Sequence, residues 1–60
     1  MEIIDNEMDE VIVNYRGYYY IREYDCILDI MTWYLYEYNT WVGTELHLEL
    51  ETEYQKLVNK

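Results

Sequence analysis

Two runs of β-branched and aromatic residues follow one another near the start of the chain. Residues 10–15 and 18–24 are rich in valine, isoleucine and tyrosine, which is typical of strands. Arg16 and Gly17 separate the runs, and glycine can adopt the positive φ angle that a tight turn requires. The pattern predicts a β-hairpin over residues 10–24. Residues 1–9 carry several acids and are interpreted as a loose arm or an edge segment.

The next segment has the features of a helix. Asp25 is a suitable N-cap, and Asp29 lies in the first turn, where the helix dipole favours a carboxylate. We therefore predict a helix over residues 26–39, and Asn39, Thr40 and Gly43 supply its end and the following turn. At 100° per residue, one stripe of this helix faces the sheet. It contains Ile27, Ile30, Met31, Tyr34 and Tyr38.

The third predicted strand covers residues 44–53, where leucine and polar residues alternate regularly. Leu46, Leu48 and Leu50 point to one side of such a strand, and the residues between them point to the other. Residues 54–60 extend this strand, add a helical turn or fray. We expect a single α+β domain over residues 1–60, with a small antiparallel three-stranded sheet, one helix on one face and the order β-β-α-β.

The flanks of the predicted helix are apolar as well. Leu28 and Leu35 lie on one flank, and Cys26 and Trp33 lie on the other. One sheet of three short strands cannot cover all of this surface, and an exposed apolar patch usually marks an interface. We expect a two-fold homodimer with Leu28, Met31 and Leu35 as contacts, and the groove of such a dimer can itself bind another partner.

Glutamates line the polar side of the predicted third strand. Alternate residues of a strand lie roughly 6.6 Å apart, a spacing comparable to that of successive phosphates. The row could enter a phosphate-binding groove, or it could be a solvated face whose charges protect an edge strand. Its members are Glu45, Glu49, Glu51 and Glu53.

The charge of the chain is strongly one-sided. Thirteen Asp and Glu residues face four Lys and Arg residues, and the formal net charge is −9. Such a field repels nucleic acids and anionic membranes and attracts basic surfaces, of which nucleic-acid-binding clefts are the commonest. Simple solubility is the alternative explanation. Hydrophobic residues make up 52% of the chain, more than 60 residues can readily bury.

Catalytic and metal-binding chemistry has little support. Cys26 is the only cysteine, and without a nearby base we interpret it as a small buried residue. His47 stands alone among spaced glutamates, which is a weak metal signal. No signal peptide or membrane span is recognisable. We expect a non-enzymatic protein without cofactor or metal, located in a reducing cytoplasm.

The layout resembles a known family, the acidic uracil-DNA glycosylase inhibitors of small Bacillus phages. The resemblance rests on the segment 23–40 and on the leucine–glutamate alternation of residues 46–50. In the segment 23–40 the matching residues are Glu23, Tyr24, Leu28, Ile30, Trp33, Leu35, Asn39 and Thr40. The family consists of dimeric DNA mimics, so the resemblance implies a phage protein that fills the DNA-binding cleft of host uracil-DNA glycosylase.

The resemblance also implies roles for individual residues. Trp33 stands where the family has a helix phenylalanine that helps to trap an apolar side chain of the glycosylase. With Leu35 and Tyr36 it would line an apolar groove between the helices of a dimer. The resemblance also implies that Glu23 faces the loops that hold phosphates. Independently of the resemblance, Glu49 and Glu51 are target contacts if the glutamate row of the third strand faces the target.

The chain departs from the family at two positions, where it has Tyr34 and Glu37. The polar part of the contact can therefore differ from the family's. Acidic inhibitors of CRISPR effectors, restriction enzymes or RNA polymerase are the alternative class, and a structural dimerisation module is a third.

Overall fold

The computed structural model describes residues 1–59, which form an antiparallel five-stranded sheet followed by one helix. The strands neighbour one another in chain order, as a meander. The elements are β1 (Glu2–Glu7), β2 (Glu10–Tyr15), β3 (Tyr18–Asp25), β4 (Ile30–Leu35), β5 (Thr40–Trp41) and α1 (Thr44–Val58). The predicted three-stranded sheet with the order β-β-α-β is therefore wrong.

The β2–β3 hairpin occupies the positions that the sequence pattern indicates. Arg16 and Gly17 have φ angles of 53° and 87°. Positive φ at both central residues is the requirement of the two-residue turns that match the twist of a hairpin. The turn sets the register, which runs from Tyr15 opposite Tyr18 to Glu10 opposite Glu23.

The segment expected to be a helix over residues 26–39 is instead a turn, strand β4 and a second turn. Asp25 does cap a turn, because its Oδ1 accepts hydrogen bonds from the amides of Ile27 and Leu28 at 2.9 and 3.1 Å. The turn does not propagate, since Asp29 has a φ of 58°, outside the right-handed helical region. Cys26 in this turn is exposed, contrary to the expectation that it is buried.

β4 is a strand because its residues suit a pleated surface. Its side chains alternate between the two faces of the sheet, and Trp33 and Leu35 oppose Arg22 and Tyr20 of β3. Asn39, with a φ of 49°, lies in the turn that leads to β5. The residues expected to end a helix thus lie in this turn (Asn39), in β5 (Thr40) and directly before α1 (Gly43).

The segment expected to be a strand over residues 44–53 is the first part of α1. Leucine and glutamate are both strong helix formers, and they dominate this segment. Leu46, Leu50 and Tyr54 recur every four residues and face the sheet, whereas Leu48 of the supposed apolar face is 61% exposed.

The hydrophobic core lies between α1 and one face of the sheet. Trp33, Leu50 and Val13 are its most deeply buried large side chains. The remaining buried apolar residues are Val11, Tyr15, Tyr20 and Tyr54. Within residues 1–59, no helix covers the opposite face of the sheet, which we call the open face. Its central residues are Glu10, Ile12, Ile21, Glu23 and Tyr34.

Candidate functional site

Trp33, the predicted anchor for a partner, lies inside the core. Its side chain is 1% exposed, and its ring meets that of Tyr54 edge to face at a centroid distance of 5.9 Å. Its indole Nε1 donates a hydrogen bond to Glu51 Oε1 at 3.0 Å. The prediction placed Trp33 on an exposed helix flank, and this premise is wrong, because Trp33 is a strand residue beneath α1.

Glu51 is the centre of a polar network that joins α1 to the sheet. Arg22 grips its carboxylate with two hydrogen bonds, from Nε at 2.9 Å and from Nη2 at 3.0 Å. Gln55 donates a third at 2.8 Å, and the Arg22 guanidinium also lies 4.6 Å from the centre of the Tyr54 ring. The Arg22 hydrogen bond, helped by Gln55 and Trp33, lowers the pKa of Glu51 to about 2.

Glu49 is also engaged within the chain. It accepts a hydrogen bond from the Tyr15 hydroxyl at 2.7 Å and pairs with Arg16 at 3.2 Å. The hydrogen bond to Glu49 raises the pKa of Tyr15. Because Glu49 and Glu51 lie on a helix and bind cations of the same chain, the predicted straight row of strand carboxylates does not form.

The other predicted contact residues are spread over several surfaces. Leu28 is half exposed in the turn before β4, and Met31 and Leu35 are partly buried within β4. Leu35 also lines an apolar pocket of about 260 Å³ between the sheet and the start of α1. Tyr36 is exposed beyond the end of β4. The expected dimer contact along one helix flank is therefore wrong in its geometry.

The open face carries a continuous apolar row that sequence reasoning missed. Directly opposed residues of neighbouring strands share a face. Ile12 opposes Ile21, Ile21 opposes Tyr34, and Tyr34 opposes Trp41, so the row crosses four strands. The rings of Tyr34 and Trp41 lie 6.0 Å apart, and Trp41 is 58% exposed.

A shallow groove adjoins this row. It has a volume of about 330 Å³ and is lined by Ile4, Ile12, Tyr19 and Tyr36. Ile4 lies where the β1–β2 register shifts, a bulge that gives β1 an extra residue opposite β2. The apolar surface of the open face thus extends from β1 to β5.

A row of carboxylates runs beside the apolar row. Glu7 opposes Glu10, and Glu10 opposes Glu23, so three acids follow one another across three strands. Directly opposed side chains have Cβ atoms about 4.5–5.5 Å apart. The row ends at Thr32, which opposes Glu23 and donates its hydroxyl to the Glu23 carbonyl oxygen at 3.0 Å.

The basic side chains lie away from the open face. Within residues 1–59, Arg16 and Arg22 bind glutamates of α1, and Lys56 lies on α1 itself beside Glu53 at 3.4 Å. Charged side chains on the open face are therefore carboxylates, and Glu23 and Tyr36 are the predicted contact residues that belong to this surface. The predicted hairpin already contained the signal for the Glu10–Glu23 pair, although the sequence-based prediction did not include it, because a two-residue turn at 16–17 places Glu10 opposite Glu23.

No family model, curated protein or solved structure matches this chain. In the described part of the chain, no cluster of three or more His, Cys, Asp or Glu side chains is placed to hold a metal ion. Across residues 1–59, no helix is both long and apolar enough to cross a membrane. The open face is the surface that combines exposed apolar area with unneutralised charge, so it is the candidate functional site.

Proposed function

We propose that this protein is an acidic binding protein that occupies a basic, nucleic-acid-binding cleft of an enzyme and so excludes the nucleic acid. The separation of charge carries the proposal. The Arg and Lys side chains of residues 1–59 are held on the α1 side, and the open face presents a row of carboxylates beside an apolar row.

The net charge of −9 supports this assignment in two ways. It opposes direct binding of DNA or RNA, because the phosphates carry the same sign. It also accelerates encounter with a basic cleft, and such steering weakens as salt screens the field. The apolar centre adds affinity that depends less on salt, so the association rate should fall more steeply with salt than the affinity does.

Host uracil-DNA glycosylase is the first target to test, and the resemblance of residues 23–40 and 46–50 to the phage inhibitors of that enzyme supplies the reason. Two of the sequence-based arguments for this target do not hold in the structure, because the β-β-α-β order is absent and Trp33 is buried. CRISPR effectors, restriction enzymes and RNA polymerase present basic clefts too and form the wider set of targets. In this role the protein acts without catalysis, in the host cytoplasm.

The experiment is a uracil-excision assay on single-stranded and duplex DNA, with purified glycosylase and increasing amounts of the protein. We expect inhibition that rising DNA concentration relieves, together with no binding of the protein to DNA in a gel-shift control. Absence of inhibition at a large molar excess would exclude the glycosylase. The same titration against a restriction endonuclease, RNA polymerase and a CRISPR nuclease then tests the wider set, and failure against all four contradicts the proposal.

A dimerisation module is the second candidate function, and the uncovered apolar row from Ile12 to Trp41 favours it. Two copies could pair through their open faces, a contact different from the helix flanks expected from the sequence. Sedimentation equilibrium at micromolar concentration, taken together with the enzyme titrations, decides between the two. A mass of 7.5 kDa excludes the module, whereas a salt-stabilised dimer without any enzyme target supports it.

A further inference from the structure

We propose that the open face is a docking surface for a basic amphipathic helix of a protein partner, lying across the strands. One stripe of this helix carries Arg or Lys and lies over Glu7, Glu10 and Glu23. The neighbouring stripe is apolar and packs on Ile21 and Tyr34. The class of partner, a protein with a basic surface, rests on the proposed function. The contact surface and the chemistry of the contact are argued from the structure.

The first observation is the uncovered apolar row. α1 covers one face of the sheet, and an antiparallel sheet can leave its other face in water when that face is polar. Here the central row of the open face consists of Ile12, Ile21, Tyr34 and Trp41. A contiguous apolar surface with a charged border is typical of a protein-interaction site.

The second observation fixes the sign of the partner's charge. Like charges directly opposite each other in a sheet destabilise it, yet Glu10 lies between Glu7 and Glu23. In the described part of the chain, the Arg and Lys side chains are bound or located on the α1 side instead. Cations of a partner would therefore relieve a repulsion that the fold itself leaves in place.

Spacing favours a helix as the occupant. Neighbouring strands lie about 4.7–4.9 Å apart, so the carboxylates repeat at this interval across the sheet. Residues at i and i+4 of a helix have Cβ atoms about 5–6 Å apart. One cation per helical turn can therefore meet one carboxylate per strand, and the adjacent stripe of the same helix reaches the apolar row.

Charge argues against the other occupants. A second copy would bring two sets of these carboxylates into one interface, where loss of water makes unpaired charge costly. A nucleic acid would bring phosphates to the same carboxylates. A basic protein segment removes the repulsion and covers the apolar row at once.

The probe is a synthetic 18-residue helical peptide with an arginine stripe at every fourth position and a leucine stripe beside it. A second peptide has the same composition with the stripes scrambled. Each is titrated into the isotope-labelled full chain, with NMR shifts followed residue by residue and affinities measured by calorimetry. We expect shifts centred on Ile12, Ile21 and Tyr34, and at least about tenfold weaker binding of the scrambled peptide.

Matched variants separate the surface from the overall charge. Glu10→Gln combined with Glu23→Gln should weaken the affinity for the striped peptide by about fivefold or more, which is the range expected for a few exposed ion pairs. Glu45→Gln with Glu53→Gln on α1 makes the same change in net charge and should leave the affinity nearly unchanged.

Three results would overturn the inference: shifts that map to α1, equal weakening by both pairs of variants, or no binding of the striped peptide. Concentration-dependent shifts of the open face without any peptide would also overturn it, because a second copy would then be the occupant. The glycosylase assay remains independent of these results. If the peptide docks but the protein inhibits no enzyme, only the proposed function is contradicted. If the Glu10 and Glu23 variants inhibit an enzyme as well as the wild type does, only this inference is contradicted.

Discussion

The two faces of the sheet use the same residue types in opposite ways. Under α1, Glu51 meets Arg22 and the Trp33 indole, and Tyr54 packs on both. Throughout residues 1–59, no buried side-chain nitrogen or oxygen lacks a hydrogen-bond partner. On the open face, Glu10 lies directly opposite two further glutamates, and tyrosine and tryptophan rings are exposed to water.

This difference separates residues that stabilise the fold from residues that are available for binding. A carboxylate whose hydrogen bonds are made within its own chain has few free acceptor positions for a partner. A carboxylate next to like charges is stabilised when a cation of a partner binds to it. The comparison also explains why the sequence-based site was placed badly. Glu49, Glu51 and Trp33 have the right chemistry for a partner, but the chain itself uses them.

The largest expected effect is on the covered face. Trp33→Ala removes a fully buried ring and the donor to Glu51, and we expect a loss of about 3–5 kcal/mol of unfolding free energy. That is comparable to the whole stability of so small a domain. Circular dichroism during urea unfolding measures it. The control is Tyr36→Ala at an exposed position, for which we expect a change of about 0.5 kcal/mol or less.

Persistence of a fully stable fold in the Trp33 variant would contradict the assignment of this residue to the core. Loss of binding in a folded, stable Trp33→Ala protein would restore it as a contact residue. From the structure, we expect Trp33→Ala to abolish binding only because it unfolds the protein.

The second effect concerns pH. The pKa of Glu51 is about 2 in the folded protein and near 4.5 when unfolded, so the unfolded state binds more protons between these values. The stabilisation by Glu51 is therefore complete above about pH 4.5 and disappears as pH falls towards 2. Because Glu51 is partly exposed, we expect its ionisation to contribute about 1–2 kcal/mol to the free energy of unfolding at neutral pH.

Comparison with Glu51→Gln isolates this contribution, because protonation of the other carboxylates affects both proteins alike. Urea unfolding at pH 7, 4.5 and 2.5 should show a stability gap between wild type and variant that narrows as pH falls. A gap that stays constant would show that ionisation of Glu51 is not the source of the stabilisation.

The smallest effect has the opposite sign. Glu10→Gln removes the central charge of the carboxylate row, and we expect it to stabilise the fold by about 0.2–1 kcal/mol, the usual range for such pairs. Thermal unfolding at low salt measures the gain, which should shrink at high salt. A destabilised variant would mean that Glu10 already has a favourable partner, and the contrast between the two faces would then fail at this position.

Some features of this protein follow from local chemistry and are readable from the sequence. The Arg16–Gly17 turn and the flanking β-branched and aromatic runs specify β2 and β3 and their register. Asp25 caps a turn, although the helix that it was expected to begin does not form, and the acidic charge follows from composition alone. These features need no distant partner, because each depends on neighbours within a few residues.

The tertiary structure decided the rest. Residues 30–35 and 44–53 each allow a helix or a strand, since an apolar run fits both periods and strict alternation also occurs in a helix built from strong helix formers. β3 settles the first choice by pairing with β4, which carries Trp33 into the core. Residues 44–53 form a helix because α1 buries Leu50 against the sheet and Glu51 accepts a hydrogen bond from Arg22. Which carboxylates remain free for a partner depends on these contacts between distant segments, and the sequence pattern does not contain them.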